Sequence, residues 1–497
     1  MSNTEEYEAV IIGGGKGGKT LAMYLARNKY KTALIERDPM MVGGGCINVA
    51  CIPTKTFITS ARLVHSIRRA AEFGIKVEGI SVDWLGIRRR VEEVVAEMRA
   101  LNLKNFTSLP SLDFILGTGR FLDPRRVEVA QNDGVVRQLS SKRIFIDTGT
   151  RPAIPDLPGL LDVPFLTSDT IQQLDAVPTR LLVLGAGYIG LEFAQMMRRF
   201  GSKVTVLERG EQILTHEDAD VAEVLANCLR REGVEIQLNA TIERVYKPSD
   251  DQVGVTFRTP EEKQEWTGSH LLVALGRTPV TKELDLPAAG IEIAAKGFIK
   301  VNDRLETNVS GIWAIGDVSG GPQFTHASLD DFRILRDNVF ENGSRSRSDR
   351  YVPSTLFTDP ELAHVGLTEK EAVARGFEIR VLQIPITPLT VPRARTTGQM
   401  DGLLKATIEK STQKILGCTI LAAEAGEMIG TVQAVMIAQM PATTLRDAVL
   451  SHPTMVEGFN ALFAAPDTKT IVRHSSQDEP KPQPANPHAE FAARAWK

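Results

Sequence analysis

Cys46-Ile47-Asn48-Val49-Ala50-Cys51-Ile52-Pro53-Thr54-Lys55 is the stretch of this 497-residue chain whose residue types most directly suggest chemistry. Two thiols with four residues between them could cycle between dithiol and disulfide. On a regular helix, however, Cα atoms five positions apart lie about 8.5 Å from one another, and a disulfide needs them closer than about 7 Å. A bond here therefore demands an irregular turn around Cys46. The neighbours permit one: Gly43, Gly44 and Gly45 can adopt unusual dihedrals, and Pro53 would clash with the Val49 carbonyl in an ideal helix. A helix N-terminus nearby would also lower the thiol pKa. Two alternatives stand beside a redox pair: a zinc half-site, which wants a second close cysteine pair that the chain lacks, and two inert buried thiols. Cys228 and Cys418 fall in a helix-like and a strand-like run and read as packing residues. No metal site is expected.

The elements around these thiols follow a repeated pattern. Residues 8–12 read as a buried strand that runs into Gly13-Gly14-Gly15-Lys16-Gly17-Gly18, then a helical pattern with Leu21, Tyr24 and Leu25, then a second strand ending at Glu36. In this strand–helix–strand unit Gly13 allows the tight turn, Gly15 lets the backbone approach a pyrophosphate, and Gly18 lets the helix pack on the strand. Amides at the helix start would face phosphates, and Glu36 can accept from a ribose hydroxyl. The unit recurs: a strand over 180–184, the turn Gly185-Ala186-Gly187-Tyr188-Ile189-Gly190, a helix over 191–200, and a strand ending at Glu208. One such turn is weak evidence, but two complete units in register imply two bound dinucleotides.

Composition bounds the remainder. With 42% hydrophobic and 24% charged residues the chain is of ordinary globular type, and its length suggests about three domains. Lys and Arg number 58 against 61 Asp and Glu, a net charge of −3 that argues against nucleic-acid or anionic-membrane binding. The acidic start, followed by only four apolar residues, is unlike a signal peptide. Nor does any apolar run approach the roughly 18 residues that span a bilayer, so a cytoplasmic protein is expected. Residues 85–109 read as a long solvated helix. Residues 466–497, dense in proline after position 479, read as a disordered tail.

Together these residues resemble the pyridine nucleotide-disulfide oxidoreductases over about residues 7–465. Further motifs carry the resemblance: Asp147-Thr148-Gly149-Thr150-Arg151-Pro152, Ala274-Leu275-Gly276-Arg277-Thr278-Pro279, Ile312-Trp313-Ala314-Ile315-Gly316-Asp317 and His452-Pro453-Thr454-Met455-Val456-Glu457. The resemblance implies an α/β fold with two Rossmann-like dinucleotide-binding domains and an α+β C-terminal dimerisation domain. The FAD domain would comprise 1–157 and 280–347, the NAD(P) domain 158–279, and the interface domain 348–465. It further implies that the first dinucleotide is FAD and the second NADH or NADPH. Cys46 would be the interchange thiol and Cys51 the thiolate nearer the flavin. Lys55 and Glu192 would form an ion pair beside the flavin, Asp317 would hold the ribityl chain, and Tyr188 would lid the nicotinamide pocket. Gly119, Thr148, Gly149, Thr325, Gly276 and Arg277 join the cofactor-binding set. His452, oriented by Glu457, would be the acid/base, an imidazole being suited to thiol protons near neutral pH. In this family that pair reaches the disulfide from the other subunit, so a homodimer with composite active sites is expected. Glu208 would repel a 2′-phosphate and so favours NADH, with Arg209 and Arg180 able to compensate.

Within the family the chain resembles the bacterial reactive-chlorine-resistance reductases, the RclA-type hypothiocyanous acid reductases. The shared wording is Gly15-Lys16-Gly17-Gly18-Lys19-Thr20, the stretch from Cys46 to Thr56, Gly320-Gly321-Pro322-Gln323-Phe324-Thr325, and Pro392-Arg393-Ala394-Arg395. The expected substrate is an oxidised sulfur or reactive chlorine species such as hypothiocyanous acid. Mercuric or other metal-ion reductase and dihydrolipoamide dehydrogenase are the enzymatic alternatives. Mercuric reductases usually carry a further cysteine pair near the C-terminus, and dihydrolipoamide dehydrogenases usually read His-x-His-Pro-Thr where this chain has Leu450-Ser451-His452-Pro453-Thr454. A redox-sensing flavoprotein is the non-enzymatic alternative.

Overall fold

A computed structural model describes residues 4–471. Ala9–Ile12, a run of four small or branched apolar residues, is wholly buried and forms a central strand of an eight-stranded sheet. From one edge the order is Thr4–Glu6, Val136–Ser140, Arg126–Gln131, Leu112–Asp123, Thr32–Glu36, Ala9–Ile12, Ile144–Ile146 and Ile312–Ala314. From Leu112–Asp123 onward the pairing is parallel, as expected where helices cover the faces of a sheet and both sides of each strand are apolar. Leu112–Asp123 is long enough to serve twice: its first half pairs in parallel with Thr32–Glu36 and its second half antiparallel with Arg126–Gln131.

A second sheet, of the parallel strands Val234–Gln237, Lys203–Leu207, Arg180–Leu184 and His270–Val273, carries the second glycine turn. An antiparallel three-stranded layer, Thr241–Ser249, Gln252–Arg258 and Lys263–Gly268, packs beside it. The short antiparallel pair Thr150–Pro152 and Arg277–Pro279 links the first lobe to the second. The chain then enters a six-stranded antiparallel sheet ordered Ser354–Leu356, Glu361–Gly366, Ile415–Ala422, Leu403–Glu409, Ile379–Pro385 and Asp467–Ile471. The helices Ala425–Ile437 and Gly458–Ala464 share its core. Two dinucleotide-type α/β units and an α+β C-terminal domain are thus present.

One sequence reading needs correction. Residues 466–497 read as a disordered tail, yet Asp467–Ile471 pairs antiparallel with Ile379–Pro385 as an edge strand. Thr468, Thr470 and Ile471 are β-branched and suit a strand, Asp467 pairs with Arg380 at 2.8 Å, and Lys469 with Glu369 at 3.0 Å. The proline density that motivated the reading begins further on, and residues 472–497 lie outside the described residues. The long helix spans Trp84–Thr107, with Asp83 accepting from the Gly86 amide at its start and Trp84, Val91, Val95 and Phe106 buried. Cys228 and Cys418 are buried free thiols.

Candidate active site

The two glycine turns are built alike. Gly13 and Gly185 take φ of 105° and 99°, and their N–H groups donate to the Ile35 and Leu207 carbonyls at 2.9 and 2.8 Å. A Cβ on Gly18 would lie 2.5 Å from the Gly13 carbonyl oxygen, and one on Gly190 2.1 Å from that of Gly185, so only glycine permits the approach of helix to strand. A Cβ on Gly187 would meet nothing within 4 Å, which leaves open space over the second turn. The helices Lys16–Arg27 and Tyr188–Phe200 start without side-chain caps, as helix ends that receive phosphate do.

Backbone amides hold the acid of each unit against its turn. Glu36 Oε2 accepts from the Gly14 N–H at 3.2 Å, and burial pushes its carboxyl up. Glu208 accepts from Ala186 N–H with one oxygen and from Gly210 N–H with the other, both at 2.8 Å. Asp147 does work that the motif reading did not assign. Its buried carboxylate accepts from the Gly18 N–H at 2.6 Å and would touch a Cβ on Gly15, so it fixes the first turn from the adjacent strand. Ser328 Oγ accepts from Gly17 N–H at 3.0 Å and adds a second brace.

Beyond the first turn the expected FAD-side residues form one network. Thr148 Oγ1 donates to the Val280 carbonyl at 2.7 Å, and Gly149, at φ 67°, accepts from the Val280 N–H. Thr150 Oγ1 donates to Asp317 Oδ2 at 2.8 Å and receives Arg277 Nε at 2.8 Å. Burial pushes the Asp317 carboxyl up, opposed by the Arg277 guanidinium and the Thr150 hydroxyl. Arg277 is therefore engaged by Thr150 here. Gly276 precedes it at φ 101°, with nothing within 4 Å of an added Cβ. Gly119 lies on Leu112–Asp123, where a Cβ would touch Ile12, Ile35 and Val127 at 3.4 to 3.5 Å.

The glycine cradles, the two amide-held acids and the buried Asp317 fit a pair of dinucleotides. Gly13, Gly15, Gly18 and Glu36 form the first cradle, with the buried Asp317 beyond it, and Gly185, Gly187, Gly190 and Glu208 form the second; the first set would hold FAD and the second NAD(P)H.

The cysteine stretch is irregular where the spacing demands it. A short helix, Gly45–Asn48, carries Cys46; the chain breaks at Val49 and Ala50, and Cys51 is the first residue of the 18-residue helix Cys51–Arg68. Pro53 falls in the first turn of that helix, where its missing N–H costs nothing. Both thiols are free and partly buried. Thr325, which opens the helix Thr325–Leu335, places its hydroxyl 3.4 Å from Cys51 Sγ. The neighbouring Cys46 thiol first, then the Thr325 hydroxyl and the Lys55 ammonium, outweigh burial and bring the Cys51 thiol down. The neighbouring Cys51 sulfur, with burial, pushes the Cys46 thiol up.

One helical turn after Cys51, Lys55 pairs with Glu192 of the helix Tyr188–Phe200 at 2.7 and 3.0 Å. Glu192 is 6% exposed and also accepts from the Phe357 N–H at 3.0 Å, while the Lys55 ammonium lies 4.8 Å from the centre of the Phe357 ring. Phe357, from the C-terminal domain, was not legible in sequence. Tyr188 reaches Glu217 and Ser354 with its hydroxyl, and its ring lies 6.4 Å from that of Phe324, the residue before Thr325. His452 is placed apart from all of these. Its Nδ1 is 2.8 Å from Glu457 Oε2, Glu457 Oε1 accepts from the Thr454 N–H, and His452 is 68% exposed. Among the described residues no hydrogen bond joins it to either cysteine of its own chain.

Comparison with known proteins agrees with this geometry. The family model described as pyridine nucleotide-disulphide oxidoreductase matches residues 7–331, and that of its dimerisation domain matches 352–463. This chain belongs to the pyridine nucleotide-disulphide oxidoreductases. The oxidoreductase is 40% identical over 461 residues to the probable pyridine nucleotide-disulfide oxidoreductase RclA of Escherichia coli (strain K12), across 92% of this chain and 99% of that protein. A solved structure, the Cu(II) complex of the HOCl-induced flavoprotein disulfide reductase RclA from Escherichia coli, matches with a TM-score of 0.84 at 39% identity, covering 93% of this chain and 99% of that one. Mercuric reductase of Bacillus cereus is 32% identical across 91% of this chain and 70% of its own length. The mitochondrial dihydrolipoyl dehydrogenase of Pisum sativum is 33% identical across 95% and 93%. The oxidoreductase is thus an FAD- and NAD(P)H-dependent enzyme with a dimerisation domain. Among its described residues no helix is long and apolar enough to cross a membrane, and no group of three or more His, Cys, Asp or Glu could hold a metal ion.

Proposed function

We propose that this flavoprotein disulfide oxidoreductase spends its electrons on an electrophilic sulfur or chlorine oxidant, with hypothiocyanous acid the representative substrate. The observation that carries the reading is the unequal setting of the two thiols: Cys51 opens its helix with the Thr325 hydroxyl 3.4 Å from its sulfur and Lys55 one turn on, which favours its thiolate, while that sulfur, with burial, pushes the Cys46 thiol up. Such a pair has an attacking thiol, once its proton is removed, and a waiting thiolate that closes the disulfide. His452 of the partner subunit takes the Cys46 proton, and Glu457 holds that imidazole through Nδ1, leaving Nε2 to work. Cys46 Sγ then attacks the sulfur of HOSCN; the S–O bond breaks, and the hydroxide leaves as water with the proton from the imidazolium. Cys51 thiolate attacks Cys46 Sγ and displaces thiocyanate. The sum is HOSCN plus one thiol and one thiolate giving a disulfide, thiocyanate and water. FAD and NAD(P)H, when bound, supply the two electrons that return the disulfide to dithiol.

Lys55 keeps positive charge beside the Cys51 thiolate, and Glu192 with Phe357 keeps Lys55 in place. Glu208 favours NADH, because a carboxylate held at the ribose end of the second unit repels a 2′-phosphate. Similarity to an HOCl-induced reductase supports the choice of oxidant. The test is NADH and NADPH oxidation by the purified protein offered hypothiocyanite, glutathione disulfide, lipoamide, Hg(II) and Cu(II) in turn. Fastest turnover with hypothiocyanite and NADH is expected; fastest turnover with lipoamide or Hg(II) would move the enzyme to the corresponding branch of the family.

A further inference from the structure

Tyr188 opens its helix directly after Gly187, at the mouth of the second dinucleotide turn, and its ring leans toward Phe324 and so toward the Thr325–Cys51 contact. Its hydroxyl lies 3.3 Å from Glu217 Oε1 and 3.1 Å from Ser354 Oγ. These two partners come from different domains. Glu217 sits in the loop after Lys203–Leu207, stapled to the glycine turn by the Leu214 N–H donating to the Ala186 carbonyl at 3.1 Å and by its own N–H donating to the Leu214 carbonyl at 2.8 Å. Ser354 is the first residue of a strand of the six-stranded sheet.

The second carboxyl oxygen of Glu217 is buried with no hydrogen-bond partner among the described residues. An ionised carboxylate there would carry a poorly compensated charge. Burial pushes this carboxyl up, opposed by His364 and reinforced by Asp218 and Glu371. The Tyr188 hydroxyl is directed at both Glu217 Oε1 and Ser354 Oγ, which accept from it.

We propose that Glu217 and Ser354 clamp Tyr188 across the second dinucleotide turn, so that a nicotinamide nucleotide enters only when the clamp opens. Both are positioning residues that set nucleotide affinity without touching the nucleotide, an inference that rests on the placement of NAD(P)H at this turn. Apparent affinity scales with the fraction of molecules whose site is open. Loss of one hydrogen bond of ordinary strength therefore tightens nucleotide binding roughly fivefold.

Calorimetric titration of the FAD-loaded homodimer with NAD⁺ measures this directly, with anaerobic flavin reduction by NADH as the companion readout. Ser354→Ala and Glu217→Ala are each expected to tighten NAD⁺ binding roughly fivefold and to leave the limiting reduction rate unchanged, whereas Glu217→Gln, which keeps an acceptor oxygen for the Tyr188 hydroxyl, stays within about twofold of the parent. Unchanged or weakened binding in Ser354→Ala, which removes a single hydroxyl, would overturn the clamp, as would Glu217→Gln behaving like Glu217→Ala. A parent protein that neither binds NAD⁺ nor is reduced by NADH would instead overturn the placement of the nucleotide itself.

Discussion

Cys51 begins a helix and has Cys46, Thr325 and Lys55 as neighbours, each of which favours the thiolate. The sign of the pH dependence follows. Above about 6 the reduced protein carries a Cys51 thiolate, and below it the thiolate is protonated. Ultraviolet thiolate absorbance of the dithiol form should titrate with a midpoint near 6, and Lys55→Met should move that midpoint upward because it removes a nearby positive charge. A midpoint in the ordinary range of a free cysteine, unmoved by Lys55→Met, would remove the electrostatic basis of the site. At this scale the sequence was partly legible. Ten residues on one stretch, Cys46 to Lys55, announce the cysteines and the lysine, but Glu192 lies 137 residues from Lys55 and was placed only through family resemblance. Phe357 carried no local signal, and Asp147 stood in a quoted motif without a role, because both roles exist only once distant strands and helices meet.

The glycine turns are the elements proposed to set cofactor position, and their glycines differ in whether an added methyl meets protein or open space. Gly190→Ala drives a methyl into the Gly185 carbonyl and should cost about 1–3 kcal/mol of stability. Gly187→Ala puts its methyl into open space, so its melting temperature should match the parent, while the NADH concentration for half-maximal turnover rises because the methyl stands where the dinucleotide approaches. Thermal unfolding beside NADH kinetics distinguishes the two; equal destabilisation by both would mean that the second turn is closed to ligand. Both strand–helix–strand units were legible because their glycines, apolar runs and terminal acids lie within about 30 residues. The strand Asp467–Ile471 was not, because five residues of modest β-propensity gain their pairing from Ile379–Pro385, some 87 residues earlier.

Across the whole molecule, domains are tied to one another by buried charge. Lys405 of the C-terminal sheet pairs with Asp218 and Asp220 at the start of the helix Ala219–Arg231 and with Glu369, all within 3.0 Å. This tie fixes the C-terminal domain relative to the second dinucleotide unit and hence His452 relative to the rest of its own chain. The exposure of His452, with no hydrogen bond to its own cysteines, suits service to a second subunit. Mixing Cys46→Ser and His452→Ala chains under conditions of subunit exchange should therefore restore about a quarter of parental turnover, since half the dimers become mixed and each of those has one intact site. Activity of the mixture no greater than the mean of the two variants would place both groups in one chain. Composition offered only about three domains, and the expectation that the two halves of a site come from different subunits rested on family resemblance, since contacts between chains leave no mark on residue spacing.

The central claim is that electrons leave the protein through Cys46, and steady-state NADH oxidation with hypothiocyanite, comparing the parent with Cys46→Ser, tests it most directly. The expected result is rapid, hypothiocyanite-dependent turnover in the parent and a fall to background in Cys46→Ser, with anaerobic flavin reduction by NADH preserved in both. Sustained hypothiocyanite-dependent turnover by Cys46→Ser would contradict it.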